Sequence, residues 1–131
     1  MRDLRPTVQA IGIDPGINLR SQDNQLHRCT VIVRSTGLVA TGENNTIMDC
    51  QIDSPLGLEL FGARSRIENS TFQGSVGIKM NRTSENLIEG CKITTTKGVL
   101  IEDSTGNRVL NNTFSGTGFG VVVFGILIFL L

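Results

Sequence analysis

Apolar and polar side chains alternate in short runs along the chain, and the same run returns after 20 or 21 residues. In the segment that begins at Gly77, Ile78 and Met80 alternate with Lys79 and Asn81. A period of two is typical of a β-strand with one buried face. A polar stretch follows, which predicts a turn, and the apolar positions then resume. Each run therefore predicts a short strand that ends at a polar corner.

Polar residues recur in two columns that keep this period. The first column consists of Asn24, Asn45, Ser65, Asn86 and Asn107. The second column stands five residues later and consists of Cys29, Cys50, Ser70, Cys91 and Asn112. Two residues further on comes an apolar column of Val31, Ile52, Phe72, Ile93 and Phe114. A glycine column has the same spacing: Gly16, Gly37, Gly57, Gly77, Gly98 and Gly118. A fixed period in this range predicts a solenoid, in which each repeat is one coil stacked on the next.

The repeat predicts an all-β solenoid. No window has the periodicity of an amphipathic helix, β-branched residues are dense, and the chain contains 15 glycines. Parallel strands that hydrogen-bond to the coils above and below, about 4.8 Å away, satisfy this pattern. We therefore predict a right-handed parallel β-helix of about six coils over residues 13–118, with 20–21 residues per coil. Residues 1–12 are expected to form an N-terminal arm or cap, and residues 119–131 an apolar strand for capping or oligomerisation.

The asparagine column has a structural interpretation. Asparagines at the same corner of successive coils can stack their amides along the axis, and they tolerate the left-handed backbone of sharp corners. The glycine column indicates corners where φ is positive or space is short. Four Asn-x-Ser/Thr sequons occur in the same polar corners, and we interpret them as corner chemistry rather than glycosylation sites. They begin at Asn44, Asn69, Asn81 and Asn111.

The cysteine column leaves two interpretations open. We favour buried free thiols that fill a small slot in the core. Cys29 and Cys50 would lie on adjacent coils, about 5 Å apart, which also permits a disulfide. Cys50 and Cys91 would lie two coils apart, which is too far for a bond. No histidine or carboxylate joins the column, so we expect neither a metal site nor a cofactor.

The pattern Gly-Ile-x-Leu, turn, Asn-x-Ile-x-x-Cys-x-Ile resembles the parallel β-helix repeats of the pectin-lyase-like superfamily. The resemblance covers about residues 13–118. Similar coils occur in polysaccharide lyases, in periplasmic repeat proteins, and in phage tail spikes and other virion proteins. Because the resemblance consists of core and corner positions only, it implies the fold and leaves the function open.

Composition argues against several classes of ligand. Twelve basic and twelve acidic residues give a net charge of zero, and they are scattered, whereas nucleic acid requires a basic patch or stripe. Tryptophan and tyrosine are absent, and six phenylalanines are the only aromatic residues, so stacking platforms for sugars or bases are scarce. The N-terminus has no apolar run behind its charges, so no secretory signal is expected.

One pair of carboxylates favours an enzymatic alternative. Glu68 and Glu89 occupy equivalent positions of adjacent coils, about 5 Å apart along the axis, which is compatible with glycoside chemistry. No basic residue or acidic trio is expected to stack beside them, and the short turns offer no cleft. The single histidine, His27, has no predicted triad partners. We therefore assign no catalytic residue and expect a protein that is not an enzyme.

The C-terminal segment from Phe119 to Leu131 has no polar side chain. Its thirteen residues are fewer than the roughly 20 that a membrane-spanning helix needs. A strand that is apolar on both faces must be buried on both sides. It can cap its own rod, contact a membrane, or join copies of the rod, and we favour an oligomer, most naturally a trimer of parallel rods. The expected interface residues are Phe119, Val121, Val123, Phe124, Ile126, Ile128, Phe129 and Leu131.

These expectations combine into a structural role. Among proteins with the resemblance, virion proteins fit best, because they are made without signal peptides, are often trimeric and need rigid rods. We predict an oligomeric β-helix that decorates or stabilises a phage virion, as a head decoration or cement protein or a short spike or fibre. Its partner would be a capsid or tail protein, and it would be assembled in the host cytoplasm, without nucleic acid or membrane contact. The alternatives are a carbohydrate-binding or polysaccharide-degrading module and a filament-forming bacterial scaffold.

Overall fold

The chain winds into six successive sets of short strands. The structure is a computed structural model that describes residues 2–4, 7–10, 16–116 and 118–125. Within these ranges the chain forms sixteen strands and no helix. The strands are β1 (Arg2–Leu4), β2 (Thr7–Ala10), β3 (Ile17–Leu19), β4 (Asn24–His27), β5 (Thr30–Val33), β6 (Thr36–Ala40), β7 (Thr46–Met48), β8 (Gln51–Asp53), β9 (Leu56–Leu60), β10 (Arg66–Glu68), β11 (Thr71–Asn81), β12 (Leu87–Glu89), β13 (Lys92–Glu102), β14 (Arg108–Leu110), β15 (Thr113–Ser115) and β16 (Phe119–Phe124).

The strands line up as three faces of a rod. The first face holds β1, β4, β7, β10, β12 and β14. The second face holds β2, β5, β8 and β15, together with residues 71–74 of β11 and 92–95 of β13. The third face holds β3, β6, β9 and β16, together with residues 76–81 and 97–102. In β11 and β13 the second and third strands of a coil run on as one strand.

Each strand pairs in parallel with its equivalent one coil later. Arg66 pairs with Leu87 on the first face, and Thr71 pairs with Lys92 on the second. The predicted parallel β-solenoid is therefore confirmed. The six sets of strands make five complete turns, slightly fewer than the six coils predicted.

The core is a stack of apolar side chains, with at least one from each face in every middle coil. The third face contributes a second buried column, which consists of Ala40, Leu60, Met80 and Ile101. Inward positions alternate with outward ones along each strand, as the period of two predicts. Burial of one such side chain stabilises the fold by about 1.5–3 kcal/mol. The buried columns are Leu26, Ile47, Ile67 and Ile88 on the first face, Val31, Ile52, Phe72 and Ile93 on the second, and Leu38, Leu58, Ile78 and Val99 on the third.

The glycine column lies where successive coils approach closely, and lack of space explains it. A Cβ atom on Gly57 would lie 2.5 Å from the carbonyl oxygen of Gly77 and 2.6 Å from Cδ1 of Phe72. Backbone φ is not positive at Gly57 or Gly77, so these glycines are not needed for a left-handed backbone conformation. Side chains at these positions, which lie within strands of the third face, would therefore push the coils apart.

The last member of the glycine column is Gly120, and the prediction of Gly118 is wrong. Val99 pairs with Val121, which aligns Gly98 with Gly120. The cause is one extra residue in the last corner. Three residues, 116–118, separate β15 from β16, whereas two, 95 and 96, separate the equivalent parts of β13.

The predicted segment boundaries fall inside coils. Residues 119–124 form β16, which pairs with residues 97–102 as the third strand of the last coil, so they are not a separate capping strand. At the other end, β1 and β2 pair with β4 and β5 as part of the first coil. Regular pairing therefore extends beyond both ends of the predicted range, because these strands keep the register of their neighbours.

Candidate functional site

The asparagine column links each coil to the next by hydrogen bonds from backbone to side chain. The backbone N–H of Asn24 donates to Oδ1 of Asn45 at 2.9 Å. The same bond recurs from Asn45 to Ser65 Oγ, from Ser65 to Asn86 Oδ1, and from Asn86 to Asn107 Oδ1, at 2.8–3.2 Å. Side-chain amides contact each other at one step, where Nδ2 of Asn86 donates to Oδ1 of Asn107. The predicted stacking of amides on amides is thus wrong for the rest of the column, because the Nδ2 groups of Asn24 and Asn45 donate to oxygen atoms of Ser21 and Gly42, and Ser65 has no amide.

The left-handed backbone of the corner belongs to the residue before each column member. These residues have φ between 54° and 68°: Asp23, Asn44, Arg64, Glu85 and Gly106. A second set with positive φ precedes the cysteine column: Arg28, Asp49, Asn69, Gly90 and Asn111. The expectation that the column asparagines themselves take this conformation is therefore off by one residue. Asparagine, aspartate and glycine are frequent in both sets because they tolerate positive φ best.

The sequons follow from this corner geometry. In Asn44-Asn45-Thr46, the first residue has positive φ, the second is the buried column member, and the third begins β7. The sequons at Asn69 and Asn111 also begin at a residue of positive φ and end at the first residue of a strand, whereas in the sequon at Asn81 the middle residue, Arg82, has the positive φ. Corner and strand requirements therefore account for the motif without a role in modification.

The cysteine column consists of small side chains that bond to backbone carbonyl groups. Cys29, Cys50 and Cys91 are buried thiols, and the disulfide between Cys29 and Cys50 that the sequence left open is not formed. The thiol of Cys50 lies 3.3 Å from the carbonyl oxygen of Met48, and Ser70 Oγ donates to the equivalent carbonyl of Glu68 at 3.0 Å.

Burial makes the thiols of Cys50 and Cys91 poor nucleophiles. It raises the pKa of Cys50, and it raises the pKa of Cys91 to about 11. A thiol of this kind stays protonated at neutral pH, and the thiolate is the reactive form. The column is therefore structural.

The two glutamates of the candidate catalytic pair lie side by side, but one of them is engaged by an arginine. Glu68 pairs in register with Glu89. Nε and Nη2 of Arg66 lie 2.8 and 2.6 Å from Oε1 of Glu68. The expectation that no basic residue accompanies the pair is wrong, and the sequence contained the signal, since Arg66 and Glu68 are two residues apart and share a strand face.

The positions next to the pair in its own column are apolar. Its column continues with Met48 below Glu68 and Leu110 above Glu89. His27 pairs with Met48, which puts it two coils away from Glu68. The described residues contain no group of three histidine, cysteine, aspartate or glutamate side chains placed to hold a metal ion. An acid–base pair for glycoside chemistry is therefore poorly supported.

A shallow depression of about 300 Å³ lies at the corner before the first face. It is lined by Asp23, Asn24, Gln25, Asn44 and Thr46. Asn44 Nδ2 donates to Asp23 Oδ1 at 2.5 Å, so two of the polar groups bond to each other. Its volume is at the lower limit of the range typical of ligand sites, about 300–1,000 Å³, and it lacks their apolar lining.

The last coil concentrates large exposed apolar side chains. Phe119 is 66% exposed and Phe124 is 54% exposed. Two causes contribute to this exposure, and the pairing of β16 with β13 distinguishes them. Val121 and Val123 point inward at the end of the described rod, where no further described coil covers them. Phe119 and Phe124 point outward, and they stand where the preceding coil carries charged residues.

Four of the eight predicted interface residues lie in this patch. They are Phe119, Val121, Val123 and Phe124, and all four are exposed. Phe114 is a further exposed side chain there, because it belongs to the apolar column but stands in the last coil. The other four, Ile126, Ile128, Phe129 and Leu131, lie outside the described residues.

A family model for the right-handed β-helix region matches residues 15–127. The chain belongs to the right-handed β-helix family. No curated protein and no solved structure matches it. The matched range of the β-helix includes β16, in agreement with the place of that strand in the last coil.

Membership in the right-handed β-helix family establishes the fold and its handedness, and it assigns no chemistry to a residue. The part of this β-helix that the structure describes has no helix with the length and apolar character required to cross a bilayer. The function of the β-helix must therefore be argued from its own surfaces.

Proposed function

We propose that this β-helix is a non-enzymatic structural protein that self-associates and decorates or stabilises a larger assembly. The observation that carries the proposal is the patch of exposed apolar side chains on the last coil, above all Phe119 and Phe124. Contiguous exposed apolar patches mark interaction sites on soluble proteins. Elsewhere on the described surface, the exposed large apolar side chains are Ile32 and Phe61, which stand in other coils.

The concrete form of the proposal is a trimeric phage virion protein, as a head decoration or cement protein or a short spike or fibre. A capsid or tail protein would be its partner in the host cytoplasm and in the virion. Support comes from the regularity of the rod, since hydrogen-bonded columns couple each coil to the next along its length. A rigid rod with one adhesive end suits a protein that projects from or fastens a shell.

Light scattering combined with size-exclusion chromatography tests the self-association. The intact chain is expected to have three times the 14.2 kDa mass of one chain. Phe119→Ser/Phe124→Ser is expected to shift the protein toward the monomer, whereas Ile32→Ser, an exposed apolar side chain on the second face, leaves the mass unchanged. An intact chain that is monomeric at all concentrations refutes the proposal.

A carbohydrate-binding or polysaccharide-degrading module is the second candidate. It is favoured by the registered pair of Glu68 and Glu89. Glu68→Gln/Glu89→Gln, measured against acidic polysaccharides by calorimetry and by reducing-end release, tests it. A signal that the intact chain gives and the double variant loses supports this candidate. A signal that is absent from the intact chain, or unchanged in the variant, refutes it.

A further inference from the structure

We draw no further inference here: the strongest candidate, the uncovered end of the last coil, where the inward-pointing side chains of Phe114, Val121 and Val123 are exposed, carries nothing beyond the proposed self-association, because nothing in the described part of the chain shows what covers it.

Discussion

At the scale of single residues, the buried polar side chains act as couplers between coils. Asn45 accepts the backbone N–H of Asn24 and donates through Nδ2 to the carbonyl oxygens of Ser21 and Gly42. It is 1% exposed, so water cannot replace these partners. Each unpaired buried polar group costs about 1–3 kcal/mol. Two of these bonds join Asn45 to the preceding coil, and the bond to Gly42 closes its own corner.

Asn45→Ala is therefore expected to lower the free energy of unfolding by about 2–4 kcal/mol, because it leaves one N–H and two carbonyl groups without this partner. Chemical denaturation monitored by circular dichroism measures the change. Gln51→Ala, at an exposed outward position of β8, is the control and is expected to change it by less than about 0.5 kcal/mol. Equal effects of the two substitutions would contradict the coupling role.

The raised pKa of Cys91 predicts a loss of stability at alkaline pH. The unfolded chain releases the thiol proton above 9.0, whereas the folded chain keeps it until about 11. The folded state binds more protons in this window, so stability is present below pH 9 and falls as pH rises toward 11. The loss amounts to about 1.4 kcal/mol at pH 10.

Urea unfolding of the native chain and of Cys91→Ser, at pH 8 and pH 10, measures this loss. The serine variant is expected to fold, because Ser70 fills the same column, and its stability should fall less between the two pH values. An identical fall in both proteins would show that the Cys91 thiol does not contribute.

The residues of the two polar columns were visible in the sequence because their spacing repeats. Their hydrogen-bond partners were not, since an asparagine oxygen can accept from a backbone or a side-chain N–H, and only the register selects one. The positive φ of Arg64 and Glu85 had no compositional signal, because these residue types do not favour it. The contact of Arg66 with Glu68 is detectable from their spacing of two residues on one strand. A comparison of equivalent positions one coil apart does not include it.

At the scale of strands, the glycine column determines how closely the third face approaches the next coil. A side chain at Gly57 meets a backbone carbonyl group and the ring of Phe72, and neither can move without moving a strand. A glycine at a corner of positive φ is different. At Gly106, with φ of 68°, the nearest atom to an added Cβ is Glu85 Cγ at 3.6 Å. Glycine is therefore required at Gly57 because space is short, and at Gly106 because the backbone is left-handed.

Gly57→Ala is expected to destabilise the fold by about 3 kcal/mol or more, because it forces strands apart in a packed core. Gly106→Ala is expected to cost about 1–2 kcal/mol, the penalty of a left-handed conformation for a residue with a Cβ. Thermal and urea unfolding of both variants measure the loss in the free energy of unfolding that each substitution causes. A smaller loss for Gly57→Ala than for Gly106→Ala would contradict the close approach of the coils.

The alternation of apolar and polar side chains predicts most of the strands, but it does not predict the last coil. A period of 20 or 21 residues aligns Gly98 with Gly118, but the extra residue in the final corner moves the alignment to Gly120. The sequence then predicts a separate segment for Phe119–Phe124, because this strand has no polar side chain at its inward or its outward positions. A local insertion and an altered surface thus concealed an ordinary core register.

At the scale of the whole molecule, the rod carries most of its large exposed apolar side chains in the last coil, and Ile32 and Phe61 are the others among the described residues. The polar columns and the glycine column explain how the rod holds together, and they leave the outer surface free to vary. The function therefore depends on the outward positions, which the repeat does not constrain. For this reason the repeat predicts the architecture, whereas the prediction of a partner rests on one apolar segment.

Distances between copies test the central proposal, that the rods self-associate, together with the side-by-side parallel arrangement expected from the sequence. A spin label is placed, in separate variants, at Gln51, Lys92 and Thr113, which lie in one outward column of the second face in three different coils. The native cysteines are buried, so the introduced thiols are the accessible ones.

Pulsed electron paramagnetic resonance then measures the distance from each label to the same label in a neighbouring copy. Parallel rods keep equal residues at equal height, so the three variants are expected to give the same distance. In an antiparallel pair, the offset in height between the labels changes by about 10 Å for each coil. Three different distances, or no coupling between copies at all, would contradict the account.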